Sequence, residues 1–79
     1  MLSEEYGKAA DALIDICVEK GFSDDAIMSI GAICCSEDME EALGSIEAGL
    51  TCVSEYAKTA KTAEDVIFYA YRLSNGEIQ

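Results

Sequence analysis

A helix-start signal recurs along the chain. A Ser or Thr followed closely by two acidic residues occurs at positions 3–5, 23–25, 36–38 and 62–65. A hydroxyl at the N-cap accepts a hydrogen bond from an unpaired backbone N–H, and acids in the first turn interact favourably with the positive end of the helix dipole. Stop signals match, because Gly21 follows Lys20 and the pair Asn75-Gly76 follows Leu73. The pattern predicts four helical segments and no sheet.

The first segment, from about Glu4 to Lys20, is amphipathic when its residues are placed about 100° apart. Its apolar side consists of Leu2, Tyr6, Ala9, Ala10, Leu13, Ile14 and Cys17. The second segment runs from about Asp24 to Cys35. Its core side is predicted to contain Ile27, Ile30 and Cys34, widened by Met28 and Ile33.

The last segment spans about Ala63 to Ser74. Its core side is predicted to contain Val66, Tyr69, Ala70 and Leu73. Residues 66–69 are β-branched and aromatic, which leaves a strand as the alternative. The N-cap signal at Thr62 and the absence of a partner strand favour a helix.

The third segment carries an apolar seam with alternating spacings of four and three residues. The seam consists of Met39, Leu43, Ile46, Leu50, Val53, Ala57 and Ala60. It predicts one long helix from Glu37 to about Lys61. Gly44 and Gly49 lie off the seam, and each costs a helix about 1 kcal/mol relative to Ala. A break near Gly49, which would give two shorter helices, is the alternative. We therefore expect residues 1–79 to form one all-α domain, a compact bundle of four or five short helices.

The composition excludes several classes of function. The chain has 16 acidic and 5 basic residues, a formal net charge of −11 and no His. Without His and without a Gly-rich phosphate loop, we expect no enzyme, no cofactor and no catalytic residue. Without a basic face, we expect no direct binding to nucleic acid or to an anionic membrane. No apolar run is long enough to span a membrane and the N-terminus is acidic, so we expect a cytoplasmic protein.

The cysteines do not follow the spacing of a metal site. Cys17, Cys34, Cys35 and Cys52 contain no Cys-x-x-Cys pair, and the neighbours Cys34 and Cys35 would point about 100° apart on a helix. We interpret all four as small apolar side chains in a reducing compartment and predict no metal ligand.

Half of the acids are explained as first-turn residues, and the others are unevenly distributed. Asp11, Asp15 and Glu19 are spaced by one helical turn, with no cation between them. Like charges at this spacing repel by a few tenths of a kcal/mol. On a continuous third helix, Glu40, Glu47 and Glu55 would share one side with Glu37, within about 80°. These six residues form the predicted acidic docking face: Asp11, Asp15, Glu19, Glu40, Glu47 and Glu55. The alternative is an acidic surface that serves solubility alone.

A second candidate surface lies on the last segment. Ile67, Phe68 and Tyr71 lie about 100°, 200° and 140° from Val66, away from the predicted core side. An isolated small bundle should not expose three such residues together. We interpret them as a hydrophobic anchor for a partner or as a homodimer contact. The alternative is that this helix is central and buried on most sides.

Together these features predict a non-catalytic protein–protein interaction module. Its most concrete form is an inhibitor that mimics the charge of nucleic acid and blocks the basic groove of a nucleic-acid-binding protein, such as a nuclease. Phages use anti-CRISPR-like inhibitors of this physical type against host defence proteins. The alternative is a small self-associating or adaptor bundle whose acidity only keeps it soluble.

In size, acidity and helix number the chain also resembles acyl carrier proteins, and residues 62–73 are similar to their final helix. Carrier proteins attach phosphopantetheine to the Ser of an Asp-Ser-Leu motif that opens the second helix. That triplet is absent here, and the nearest candidate, Ser36, lies between Cys35 and Glu37. Ser36 is better explained as an N-cap, which makes a carrier-like domain the least favoured alternative.

Overall fold

The computed structural model describes residues 4–78, and these form five helices with no strand among them. The helices are α1 (Glu4–Glu19), α2 (Asp24–Cys34), α3 (Glu37–Leu43), α4 (Ile46–Thr59) and α5 (Ala63–Ser74). The predicted all-helical bundle is confirmed, and residues 66–69 are helical. The predicted cap Ser3 and the predicted core residue Leu2 lie outside the described residues.

Three of the predicted N-caps are confirmed. The Ser23 hydroxyl accepts a hydrogen bond from the Ala26 N–H at 3.2 Å, the Ser36 hydroxyl from the Met39 N–H at 3.2 Å, and the Thr62 hydroxyl from the Asp65 N–H at 3.1 Å. Each of these bonds pairs a backbone donor that the helix leaves unpaired.

The prediction of one long third helix is wrong. The chain turns between α3 and α4 at Gly44, which has a φ of 87°, and the Gly44 N–H donates to the Glu40 carbonyl at 2.7 Å. Ser45 then opens α4, since its hydroxyl accepts from the Ala48 N–H at 3.1 Å. Gly44 is thus the left-handed C-cap that ends α3, and Ser45 is the N-cap that starts α4. The break therefore lies at Gly44-Ser45 and not near Gly49.

Gly49 has a packing role inside α4. A Cβ built at this residue would overlap the Cγ of Met39, and would lie 3.0 Å from the Met39 sulfur. The absent side chain lets α3 approach α4 closely enough to bury Met39 completely.

The seam itself remains on the inside. Five of its residues are buried and two are half-buried. The buried five are Met39, Leu50, Val53, Ala57 and Ala60; Leu43 and Ile46 are half-buried. The spacing therefore identified which residues face the core, although it did not identify the break.

The main helix pairs are not neighbours in the chain. α1 packs mainly against α4, and α2 packs mainly against α5. The Lys20 ammonium donates to the Ala60 carbonyl at 2.9 Å, which joins the ends of α1 and α4. The Tyr6 hydroxyl and the Cys35 sulfur are 3.0 Å apart, and the rings of Tyr56 and Tyr69 stack with centroids 4.1 Å apart.

Two residues predicted to face the core are exposed instead. The exposed fraction is 45% for Ile14 and 72% for Met28. Met28 lies about 160° from the buried Ile30 on α2, so it points to solvent. Ile14 lies about 100° from the buried Leu13 on α1, at the edge of the packed side.

The cysteines differ in environment. Cys17 and Cys34 are buried, Cys52 is half-buried and Cys35 is exposed. Burial raises the pKa of Cys17, and burial together with the neighbouring thiols of Cys35 and Cys17 raises the pKa of Cys34 to about 12. All four thiols are free.

Candidate protein-docking surface

The outer face of α1 carries two acids without partners. Asp11 and Asp15 are both exposed and lie one helical turn apart. Among residues 4–78, neither carboxylate forms a hydrogen bond or an ion pair. Their mutual repulsion is therefore not relieved within this part of the chain.

Glu19, the third predicted acid of α1, is the last residue of the helix and is exposed. The last turn of α1 contains no basic residue. A carboxylate at this end lies beside the negative end of the helix dipole, which disfavours it by a few tenths of a kcal/mol or more. Glu19 also lines a shallow groove of about 400 Å³ with Ile16, Lys20 and Lys58.

Most of the chain's few cations are engaged elsewhere. Lys20 donates to the Ala60 carbonyl, and Lys58 pairs with Glu55 at 2.8 Å. The Arg72 guanidinium lies 3.9 Å from Glu77 and 5.8 Å from the centre of the Phe68 ring. None of these three cations pairs with Asp11 or Asp15, and the cation of α1, Lys8, is exposed three residues before Asp11.

The other three predicted acids do not continue this face as the sequence suggested. The break at Gly44-Ser45 places Glu40 on α3, whereas Glu47 and Glu55 are on α4. Glu47 is half-buried near Tyr6. Glu55 is exposed but bound to Lys58. The expected alignment of these acids along one continuous helix is therefore wrong.

Tyr6 links the start of α1 to the end of α2 through its contact with Cys35. The hydrogen bond with Cys35 raises the pKa of the Tyr6 phenol, with further contributions from burial, from the thiols and from the Glu47 carboxylate. The phenol therefore remains protonated at neutral pH.

The predicted apolar patch on α5 is exposed at two of its three residues. The exposed fraction is 65% for Phe68 and 53% for Tyr71. Ile67 is half-buried and packs against the core. α5 is therefore not buried on all sides, and its exposed apolar surface is aromatic.

Tyr71 borders an open groove at the end of α5. The groove measures about 270 Å³, and its lining combines apolar with polar groups. The lining residues are Ala32, Ile33, Ser36, Asp38, Tyr71, Ser74 and Asn75. A second groove of about 230 Å³ shares Asp38, Ser74 and Asn75 with it and adds Glu41. Asp38 is the one acid among the residues that line the groove beside Tyr71.

Sequence reasoning missed an exposed apolar pair on α1. Ile14 and Val18 lie one turn apart, and 45% and 61% of their surfaces are exposed. Ile14 was assigned to the core, and Val18 was assigned to neither surface. A signal was present, because Val18 lies about 140° from Leu13 and so falls outside the apolar side.

Between residues 4 and 78, no group of three His, Cys, Asp or Glu side chains could hold a metal ion. In the same range, no helix is both long and apolar enough to cross a membrane. The chain matches no protein-family model, no curated protein and no solved structure. The exposed side chains of α1 and α5 are therefore the features from which a function can be inferred.

Proposed function

We propose that this protein is a non-catalytic interaction module that docks its acidic surface on a basic protein. In its most concrete form it is an inhibitor that mimics the charge of nucleic acid and blocks the basic groove of a nucleic-acid-binding protein such as a nuclease. The observation that carries this proposal is the pair Asp11 and Asp15, which are exposed on one helical face and have no cationic partner among residues 4–78.

The spacing of these carboxylates suits such a role. Residues four apart on a helix rise by about 6 Å along its axis. One strand of B-DNA carries a charge every 3.4 Å or so along its axis, so the rise from Asp11 to Asp15 corresponds to about two phosphate steps. A net charge of −11 would also steer the protein towards a basic groove over long distances.

Stability alone does not account for this arrangement. The first-turn acids Glu4 and Glu5 are favoured by the dipole of α1, whereas Asp15 and Glu19 lie towards its negative end. A helix selected only for stability would place Lys among these acids. In α1 only Lys8 does so, near Glu4 and Asp11, and no Lys lies between Asp11 and Glu19. Exposed Phe68 and Tyr71 would supply the aromatic contacts that dominate many protein interfaces, with the half-buried Ile67 behind them.

The proposal is tested by capture of partners with the tagged protein, followed by washes at low and then high salt and by mass spectrometry of each fraction. A charge-driven complex is expected to dissociate in the high-salt wash, because ions screen exposed charge pairs. The expected partner is a nucleic-acid-binding protein that is released by salt and that loses its nucleic acid when this protein is added.

Matched variants make the capture experiment specific. Reversal of Asp11, Asp15 and Glu19 to Lys is expected to abolish capture. Reversal of Glu41, Glu64 and Glu77 to Lys changes the net charge by the same amount, at exposed positions on α3, on α5 and after α5. This control variant is expected to capture the partner as the wild-type protein does. Equal loss in both variants would show that net charge alone is responsible.

The competing function is a self-associating or adaptor bundle, which exposed Phe68 and Tyr71 would favour. That function predicts a complex that survives high salt, contains a second copy or a non-basic partner, and is lost in Phe68→Ala. If the variant with Asp11, Asp15 and Glu19 reversed to Lys still forms this salt-resistant complex, the acids of α1 have no docking role.

A further inference from the structure

The outer face of α1 is not uniformly acidic. Ile14 is three residues after Asp11, and Val18 is three residues after Asp15, so each apolar side chain lies beside an acid on the helix surface. At about 100° per residue, Ile14, Val18, Asp11 and Asp15 occupy one continuous arc, which begins with Ile14 at the edge of the packed side and continues away from the core. An exposed apolar ridge thus runs along the edge of the acidic stripe.

This ridge does not suit an acidic surface that only maintains solubility. Val18 is 61% exposed and Ile14 is 45% exposed, and the fold does not cover either with another helix. A solubilising face gains nothing from two exposed β-branched residues among its charges. A docking face does gain, because apolar contacts hold a complex that charge attraction has assembled.

We infer that α1 binds a basic protein surface in which apolar side chains alternate with arginines or lysines, with Ile14 and Val18 forming the apolar contacts. This inference rests on the proposed function and names the chemistry of the partner. Charge complementarity selects this occupant: a second copy would bring Asp11 and Asp15 against the same acids across a symmetric contact. Nucleic acid and anionic lipid are disfavoured by the same charges.

The test uses two synthetic peptides with the same number of arginines. One has leucine at the intervening positions, in helical spacing, and the other has glutamine. Affinities are measured by calorimetry at about 0.05 M and about 0.5 M NaCl, where the screening length differs severalfold. The wild-type protein is expected to bind the leucine peptide about ten times more tightly, the ratio that partial burial of two apolar side chains provides.

Single substitutions then locate the apolar contact. Val18→Ser is expected to remove the preference for the leucine peptide and to leave affinity for the glutamine peptide unchanged. Met28→Ser is the matched control, because Met28 is exposed to a similar degree on α2. It is expected to leave both affinities unchanged. Circular dichroism confirms that each variant is folded, and Ile14→Ser provides a second test at the less exposed position.

The charges are tested separately with Asp11→Asn combined with Asp15→Asn. This variant is expected to bind both peptides more weakly and with less dependence on salt. If it does so while Val18→Ser keeps the leucine preference, the apolar role is wrong and the proposed function stands. If neither variant changes binding, both are wrong. A leucine preference that Met28→Ser also removes, or a wild-type dimer that Val18→Ser dissociates, would overturn the inference as well.

Discussion

α1 and α4 pack against each other, and both have acids in the first turn, but only α4 has a cation in its last turn. Helix α4 has its N-cap Ser45, an acid in its first turn and Lys58 in its last turn, where Lys58 also pairs with Glu55. Helix α1 has acids along its length, no cation in its last turn and two exposed apolar residues. The surface of α4 is explained by the folding of the chain, whereas the outer surface of α1 requires another explanation.

The largest expected change in the free energy of unfolding comes from a comparison of two glycines, Gly49 in α4 and Gly7 in α1. Gly49→Ala in α4 is expected to lower the free energy of unfolding by about 2–3 kcal/mol, because the new Cβ would overlap Met39 in a fully buried site. Urea unfolding followed by circular dichroism measures the change.

Gly7→Ala in α1 is the matched control. A Cβ at Gly7 would meet no atom within 4 Å, so the variant is expected to be stabilised by up to about 1 kcal/mol. Equal effects at both glycines would contradict the close approach of α3 to α4.

The second prediction concerns the core between α1 and α2, where the buried Cys34 at the end of α2 lies near Cys17 of α1. Because burial raises the pKa of Cys34 from 9.0 to about 12, the folded protein keeps the thiol proton that the unfolded chain loses above pH 9. Stability is therefore complete below pH 9 and falls as the pH rises towards 12. At about pH 10 the expected loss is about 1 kcal/mol relative to about pH 8.

The measurement is urea unfolding at a series of alkaline pH values, with Cys34→Ala as the comparison. The variant removes the ionisable group and is expected to show a weaker fall in stability over the same range. An unchanged pH profile in Cys34→Ala would assign the fall to other groups, with Cys17, whose pKa is raised in the same direction, the first to examine.

The third prediction concerns the start of α4. Ser45→Ala is expected to lower the free energy of unfolding by about 1 kcal/mol, because the Ala48 N–H loses its acceptor. Ser29→Ala, at an exposed position inside α2, is the control and is expected to be neutral or slightly stabilising. Thermal unfolding distinguishes the two, and an unaffected Ser45→Ala would argue for a helix that continues through residue 44.

The smallest expected effect lies on the outer face of α1. Replacing Asp15 by Asn and Glu19 by Gln is expected to raise the free energy of unfolding by a few tenths of a kcal/mol, since both repulsion and the unfavourable dipole interaction decrease. Replacing Glu55 by Gln in α4 is expected to do the opposite, because Lys58 loses its partner. Salt titration of both variants checks the electrostatic origin, and changes of the same sign would remove the contrast between the helices.

Much of the fold followed from local signals in the sequence. Ser23, Ser36 and Thr62 are the N-caps that the sequence predicted, and the seam from Met39 to Ala60 is the inner side of α3 and α4. The break at Gly44-Ser45 was also encoded locally, as a left-handed cap followed by a hydroxyl, but the continuous seam outweighed it. Gly49 suggested a break because glycine is unfavourable inside a helix. Its role is to let Met39 approach α4, and that contact depends on tertiary packing, which the sequence does not display.

The candidate surface was less accessible to sequence reasoning. The acids of α1 were identified from their spacing, but the exposure of Ile14 depends on which helices pack beside α1. The contact of Lys20 with Ala60 could not be assigned from sequence spacing, since Lys20 reaches a carbonyl forty residues away in the chain. The alignment of Glu40 with Glu47 and Glu55 assumed a helix that is in fact broken.

The pairing of α1 with α4 and of α2 with α5 also determines how the chain can fold. Each pair joins a helix from the first part of the chain to one from the last, so neither part can bury its apolar side by itself. The chain must close long loops before its main contacts form, and loop closure slows folding. The bundle should therefore fold as one cooperative unit, more slowly than a bundle of equal size in which successive helices pair.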